Sequence, residues 1–217
     1  MKKSLTTLFF LVLTLCAFKS SIQAQNVDFI AANFPNDPKG FNVALKNFNQ
    51  GNNYFLLGET MYPQAMKYYH SANNFNPNNA ILNYRMGICY YTEEDFDNAI
   101  TYLEKAKSLQ VKENKLHFYL GRLYHMTHEF DKGLEHYNAY KTSMGAEFNP
   151  KEGTLIERCI TNCTNGAELK RNPINVTIEN IGKAINSRYP EYNPIISADG
   201  NTLYFTSRRP NTTGSGK

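Results

Sequence analysis

The chain has 217 residues, of which 41% are hydrophobic, and a formal net charge of +4 at pH 7. A chain of this size builds one ordinary core, or one extended repeat stack followed by a small second unit. Three lysines lie within residues 1–24, which contain no Asp or Glu, and without them the charge is about +1. The rest of the chain has no Lys/Arg run that could follow a phosphate backbone, so we predict no nucleic-acid partner.

The first 24 residues have the pattern of a secretory signal peptide. Lys2 and Lys3 form the basic start, residues 5–18 form the apolar region, and Ala24 ends the approach to the cleavage site. We predict cleavage before Gln25 and export. The apolar region is shorter than the roughly 20 residues that a membrane span needs, and no second apolar region follows, so we predict no span after cleavage.

Two alternatives for this segment stay open. An uncleaved signal peptide would act as a membrane anchor. Lipid modification at Cys16 is the other alternative, because lipid-modified cysteines follow an apolar stretch. Leu15 argues against it, since lipoprotein signals have Gly, Ala or Ser at this position.

Three cysteines follow the predicted signal peptide: Cys89, Cys159 and Cys163. The last two are spaced i, i+4 and would share one face of a helix. We expect all three to be small buried apolar side chains. A disulfide between Cys159 and Cys163 is the alternative, although it would strain a regular helix. Ligands at finger-like spacing are absent, so we predict no zinc site.

An internal period of 34 residues runs through the middle of the chain. It relates the residues of two consecutive units and extends back to Ala65, Tyr69 and Ala72. The pairs are Gly87/Gly121, Tyr90/Tyr124, Phe96/Phe130, Ala99/Gly133, Leu103/Tyr137 and Ala106/Tyr140. One period held over six positions predicts a repeat architecture.

Each unit contains two stretches with helical apolar spacing, separated by a polar turn such as Glu93-Glu94-Asp95. The acidic residues of this turn lie near the start of the next helix, where the helix dipole favours them. Small residues at Gly87, Ala99 and Ala106 would let two helices approach closely. The sequence therefore predicts a stack of helical hairpins.

This pattern resembles the tetratricopeptide family over residues 80–114, and the unit 115–145 follows it with Gly133 and Tyr140 at alanine positions. An earlier unit, about residues 42–77, fits only with two residues inserted near positions 59–61. Residues 151–172 are expected to form a capping helix. The predicted fold is mainly α: a tetratricopeptide helical-hairpin solenoid with a capping helix at 41–172, preceded by a lead-in at 25–40.

The resemblance implies that the first helix of each hairpin lines a concave, partner-binding surface. Position by position, it predicts a groove with aromatic and apolar side chains and one arginine, suited to a peptide with apolar side chains or a carboxylate. The alternative is that the chain's own C-terminal part covers these residues. The predicted groove residues are Tyr84, Ile88, Tyr91, Phe118, Arg122 and His125.

Candidate catalytic or cofactor motifs are lacking. His125, His128 and Glu129 lie close in sequence, but their spacing places them at a turn without a third convergent ligand, so we predict no metal site. The sequence has no Gly-rich phosphate loop, no Gly-x-Ser-x-Gly elbow and no His-Glu-x-x-His helix. We predict no catalytic residues, no cofactor and no enzymatic activity.

After Pro173 the helical period ends and strand signals begin. Val176 and Ile178 alternate with polar residues, and Asp199-Gly200 separates two apolar runs, which is a strong hairpin signal. Residues 185–194 and 197–209 are similar to the first blade of TolB-type β-propellers. We therefore expect 173–217 to be a short β segment that begins an incomplete propeller blade, and the chain to be the N-terminal part of a longer protein.

The order of signal peptide, helical repeats and propeller resembles Bacteroidota envelope proteins with an OmpA-like peptidoglycan-binding domain, some associated with type IX secretion and gliding. This implies a non-catalytic scaffold in the periplasm, near the outer membrane, that binds a protein or peptide partner; peptidoglycan would bind only through a domain absent here. The alternatives are the regulatory front of a propeller-containing serine peptidase, and a glycan-binding lipoprotein.

Overall fold

A computed structural model describes residues 25–145 and 149–210. The predicted signal peptide and residues 211–217 lie outside the described residues. The chain divides into two compact units, of which the first ends at Asn172 and the second begins at Pro173. The helical period of the sequence ends at the same place.

The described part of the first unit consists of seven α-helices and two short 3-10 turns. Consecutive helices pair as three antiparallel hairpins, α1/α2, α3/α4 and α5/α6, and α7 packs on α6. This arrangement confirms the predicted solenoid with a capping helix. The helices are α1 (Pro38–Leu56), α2 (Tyr62–Phe75), α3 (Ala80–Thr92), α4 (Phe96–Ser108), α5 (Leu116–Met126), α6 (Phe130–Met144) and α7 (Pro150–Arg171).

Side-chain caps fix the start of several helices. The Asp95 carboxylate accepts a hydrogen bond from Asn98 N at 3.3 Å, and the Asn79 amide oxygen accepts one from Leu82 N at 2.9 Å. The turns before α4 and α6 each contain a residue in the left-handed conformation at equivalent positions, Glu94 with φ 60° and His128 with φ 59°. The polar turn predicted between the paired helices is therefore one compact structure, repeated in two hairpins.

A glycine in the first helix of each hairpin lets the second helix approach closely. A Cβ atom on Gly87 would lie 2.6 Å from Leu103 Cγ, and one on Gly121 would lie 2.8 Å from Tyr137 Cδ1. In the first hairpin Gly51 faces Tyr69 in the same way, at 2.5 Å, with two more residues between them. The two additional residues lie in the connection between α1 and α2, which contains the 3-10 turn Glu59–Met61. The predicted two-residue insertion is thus present at the predicted place.

The segment before the first hairpin packs against it. Helix α1 begins at Pro38, capped by Asp37, three residues before the predicted start of the repeats. The Phe29 ring stacks on Phe48 with centroids 4.8 Å apart. Val27 O accepts a hydrogen bond from the Asn76 side chain at 2.8 Å. Residues 25–37 therefore cover the open end of the stack.

The described part of the second unit contains one antiparallel hairpin of β1 (Glu191–Ile196) and β2 (Leu203–Ser207). Its turn contains the predicted Asp199-Gly200 pair, with Gly200 at φ 73°, where glycine is favoured. Val176 and Ile178 form no strand, in contrast to their alternating pattern, because no segment within residues 173–210 pairs with them and both are exposed. The short β segment is confirmed.

All three described cysteines are free thiols. Burial, followed by the nearby Glu93 charge, raises the pKa of Cys89 to about 12, and burial followed by Cys159 raises the pKa of Cys163 to about 11. Cys159 is only half-buried. A thiol reacts as its thiolate, so the two buried cysteines are protected both sterically and by protonation.

We expect iodoacetamide at pH 7.5 to modify Cys159 in the native protein, and to modify Cys89 and Cys163 at least about 100-fold more slowly. Peptide mass spectrometry after timed quenching measures the three rates. In denaturant the three rates should converge. Equal rates in the native state would contradict the burial of Cys89 and Cys163.

Candidate functional site

The predicted groove residues come from two equivalent helices. Helix α3 supplies Tyr84, Ile88 and Tyr91, and α5 supplies Phe118, Arg122 and His125, 34 residues further along. Tyr91, Phe118 and His125 are half-buried and Arg122 is exposed. The six residues do not form one surface.

The structure corrects the predicted groove at Tyr84 and Ile88, which are buried. Each is only 6% exposed, and both belong to the core between the second and third hairpins, where they pack with Leu116 and Leu120 of α5. Consecutive hairpins must bury an apolar face against each other, and these two side chains fill that interface. They are not available to a partner in this structure.

The remaining four residues lie together around Arg122. Its guanidinium carbon lies 5.5 Å from the centre of the Tyr91 ring and 5.8 Å from that of Phe118, within the range of cation–π contact. In the described part of the chain no carboxylate forms an ion pair with Arg122. Tyr91, Phe118, Arg122 and His125 are called the aromatic-arginine patch below.

The patch opens into a cleft of about 220 Å³ between α5, α6 and the capping helix α7. Leu155 at the start of α7 is 46% exposed and Met126 at the end of α5 is 44% exposed. Both are apolar side chains that border the cleft without filling it. The cleft is lined by Phe118, Arg122, His125, Met126, Tyr137, Leu155 and Cys159.

A second cleft of about 480 Å³ adjoins the first and shares His125 and Met126 with it. Its opposite wall is α7, with Gly166 and the exposed Leu169. A Cβ atom on Gly166 would lie 2.7 Å from the Phe130 ring, so the glycine allows the close packing of α7 on this ring. Together the clefts give the α5–α7 side of the stack a continuous, partly apolar furrow.

Tyr119 also borders the patch, although it is not among the predicted groove residues. Its ring meets Tyr91 edge-on at 5.5 Å and Phe118 at 5.7 Å. The periodicity contains the signal, because Tyr119 is one period after Arg85, another residue on the first helix of its hairpin. Leu155 belongs to the predicted capping helix, and its place in the cleft depends on the packing of α7.

Arg85 of α3 forms a second cationic position near the first hairpin. Its guanidinium donates a hydrogen bond to the Asn52 side chain, and it lies 5.5 Å from the centre of the Phe55 ring. Like Arg122, it has no carboxylate partner among the residues that the structure describes. Two arginines are thus held on aromatic rings by first helices of adjacent hairpins.

His125 is uncharged at neutral pH. Burial, then the charges of His128 and Arg122, lower its pKa below the ordinary histidine value. Its ring meets Phe130 edge-on at 5.7 Å. Among residues 25–145 and 149–210, no three His, Cys, Asp or Glu side chains come together in an arrangement that could hold a metal ion. In the same residues no helix has the length and apolar character needed to cross a membrane.

Three hairpins, a period of 34 residues and a glycine contact within each hairpin define the repeat. The fold is a tetratricopeptide-type stack. Two solved structures are similar. One is the TPR2B domain of yeast Sti1 in a pHsp70 complex, at 18% identity, 56% coverage of this chain, 96% coverage of that chain and a TM-score of 0.46.

The other is the Sgt2 TPR domain from Aspergillus fumigatus, at 17% identity, with 66% of this chain and 91% of that chain covered and a TM-score of 0.47. No protein-family model matches the chain. No curated protein matches it either.

Proposed function

We propose that the helical stack is a non-catalytic scaffold that binds a segment of a partner protein at the aromatic-arginine patch. The segment carries an apolar or aromatic side chain next to a carboxylate. The carboxylate pairs with Arg122, and the apolar side chain enters the adjoining cleft.

The observation that carries this proposal is the environment of Arg122. An exposed arginine stacked on two aromatic rings keeps its N–H groups free for a carboxylate. Because the rings already restrict its side chain, less conformational entropy is lost when a partner binds. No described carboxylate occupies that position. Charge-assisted hydrogen bonds of this kind are about twice as strong as neutral ones.

The cleft beside Arg122 favours an apolar anchor. A volume of about 220 Å³ accommodates one large side chain, and Met126 and Leu155 would be covered when it is filled. Partly exposed aromatic, methionine and arginine side chains are the residue types enriched in protein interfaces. Burial of one anchor in a pocket next to a charged contact is how interfaces concentrate binding energy in few residues.

We place this scaffold in the cell envelope, exported to the periplasm and associated with the outer membrane. The support for export is the basic-apolar-small pattern of residues 1–24. The support for an envelope scaffold is the resemblance of the order of segments to Bacteroidota envelope proteins. The partner is accordingly an envelope protein.

Replacing Arg122 with alanine is expected to abolish capture of the partner. The variant loses both the contact with the partner's carboxylate and the cation–π contacts with Tyr91 and Phe118. The purified chain, immobilised as bait, is exposed to the native envelope fraction, and retained proteins are identified by mass spectrometry. Removing a hydrogen-bonded charge partner at an interface costs about 2–5 kcal/mol, or at least about a 30-fold loss of affinity.

The matched control is Arg188→Ala in the second unit. Arg188 also lies over an aromatic ring, that of Tyr189, at 5.0 Å. A protein retained by the unaltered chain and by Arg188→Ala, but lost from Arg122→Ala and from Tyr91→Ala/Phe118→Ala, supports the proposal. Retention of the same proteins by every variant, or of none by the unaltered chain, would overturn it.

A further inference from the structure

A buried histidine joins the second and third hairpins. His136 on α6 is 3% exposed. Its Nδ1 atom lies 2.8 Å from Nδ1 of His117 on α5, and its Nε2 atom lies 3.4 Å from the Glu104 carboxylate on α4. Glu104 also accepts a hydrogen bond from the Tyr124 hydroxyl at 3.0 Å. The contact therefore connects α4 of one hairpin with both helices of the next.

The two imidazoles are held in an arrangement that needs one proton between them. An Nδ1 to Nδ1 hydrogen bond has one donor and one acceptor. When His117 donates, His136 accepts at Nδ1 and keeps its own proton at Nε2, directed at Glu104. Both rings are then neutral, and every nitrogen at the contact is satisfied.

One added proton leaves this arrangement intact. A proton on the outer nitrogen of His117 keeps its Nδ1–H bond, and the resulting charge is balanced by Glu104. A second added proton gives both rings an Nδ1–H, so that two donors and two positive charges face each other at 2.8 Å. That state has no hydrogen bond between the rings and a strong repulsion between them.

The surrounding charges favour this sequence of events. Burial alone would raise the pKa of Glu104, but hydrogen bonds from His136 and from Lys107 together outweigh it and lower this pKa to about 2, so the carboxylate stays ionised. Burial first, then the charges of His136 and Lys107, lower the pKa of His117 below its ordinary value. The ionisable and charged groups around the histidine pair are Glu104 and Lys107 on α4, Tyr124 on α5, and Lys132 and Glu135 on α6.

The sign of the pH effect follows from the His117 shift. Because its pKa is lower in the folded state, the unfolded chain binds more protons once the pH falls below about 6.5. The contact is fully stabilising above that value. Below it the first added proton already costs stability, and the hydrogen bond between the rings is lost with the second added proton. We expect the loss of structure to be confined to the contact between the second and third hairpins, because a repeat stack is stabilised by contacts between neighbours and opens in segments.

We propose that the contact between the second and third hairpins is a pH-sensitive joint, which opens when both His117 and His136 carry an added proton. Opening separates the segment α5–α7 from α3/α4. The Arg122 contact with Tyr91 crosses the same joint, so acidification disassembles the patch. The joint is a property of the stack and does not depend on the proposed partner.

Hydrogen exchange of the unaltered chain at pH 7.5 and pH 5.0, corrected for intrinsic rates and followed by mass spectrometry, tests the joint. We expect the protection of α5 and α6 amides to fall at least about tenfold more than that of α1 and α2 amides at pH 5.0. His117→Asn is the decisive variant, since its amide N–H₂ donates to His136 Nδ1 but takes up no proton. It should keep the protection of α5 and α6 at pH 5.0.

The control variant is His70→Asn, which removes an exposed histidine outside the joint that lies beside Tyr90. It should lose protection as the unaltered chain does. An equal fall of protection over all helices, no fall at all, or the same fall in His117→Asn as in the unaltered chain would each overturn the joint. A His117→Asn chain that is less protected at both pH values, by the same factor, would show a purely structural role and would also overturn it.

Discussion

Alanine at Gly87 is expected to destabilise the stack, although alanine is the better helix former. A Cβ atom there would lie 2.6 Å from Leu103 Cγ and 3.2 Å from the Leu103 backbone nitrogen. Both distances are too short, so α3 and α4 must move apart. Overpacking of this kind costs about 1–3 kcal/mol, and it outweighs the gain of about 1 kcal/mol from helix propensity. Urea unfolding followed by circular dichroism measures the change.

The sign of this effect should reverse when Leu103 is shortened. Leu103→Ala alone leaves a cavity and costs about 2–5 kcal/mol. In the Leu103→Ala background Leu103 Cγ and Cδ2, which would lie 2.6 and 2.8 Å from the new methyl group, are gone, so Gly87→Ala becomes neutral or stabilising. The double variant is then no less stable than Leu103→Ala alone. If Gly87→Ala costs the same in both backgrounds, the close approach of the helices is not what requires glycine.

Phe34→Ala is the second large change. The Phe34 ring contacts Phe41 at 5.5 Å and Phe75 at 5.0 Å, which ties the N-terminal segment to both helices of the first hairpin. Truncating a core phenylalanine costs about 3–5 kcal/mol. Phe34 is half-buried, so we expect a loss of about 2–3 kcal/mol in the free energy of unfolding.

Ile30→Ala is the matched control, because Ile30 lies in the same segment and is exposed. Its replacement should change the free energy of unfolding by less than about 0.5 kcal/mol. Equal effects of Phe34→Ala and Ile30→Ala would mean that residues 25–37 do not contribute to the stability of the stack.

The repeat architecture was predictable from the sequence because it depends on local spacing. The positions of Gly87 and Gly121 in the period correspond to one contact that every hairpin must make. The irregular first hairpin was predictable for the same reason, since Gly51 and Tyr69 keep this contact across a longer connection. The β-hairpin was predictable from the Asp199-Gly200 turn.

The candidate site was predictable only in part. The period places Tyr84 and Tyr91 on the same helix but does not show that the next hairpin covers the first and leaves the second at the edge. The wall formed by Leu155 and Cys159 comes from α7, which has no counterpart in the period. The joint of His117 and His136 pairs residues that the repeat does not distinguish from other helix positions.

The sequence by itself determined that this protein is a stack of helical hairpins, because a 34-residue period, small residues and polar turns each act within one unit. Tertiary structure alone decided which side chains of the first helices are exposed, how residues 25–37 cover the first hairpin, and where the buried His136 meets His117. These features depend on contacts between units, and spacing along one helix does not encode how deeply the neighbouring helix buries each of its faces. Arg122 remains at the edge of that packing, where two aromatic rings hold it and no described carboxylate pairs with it.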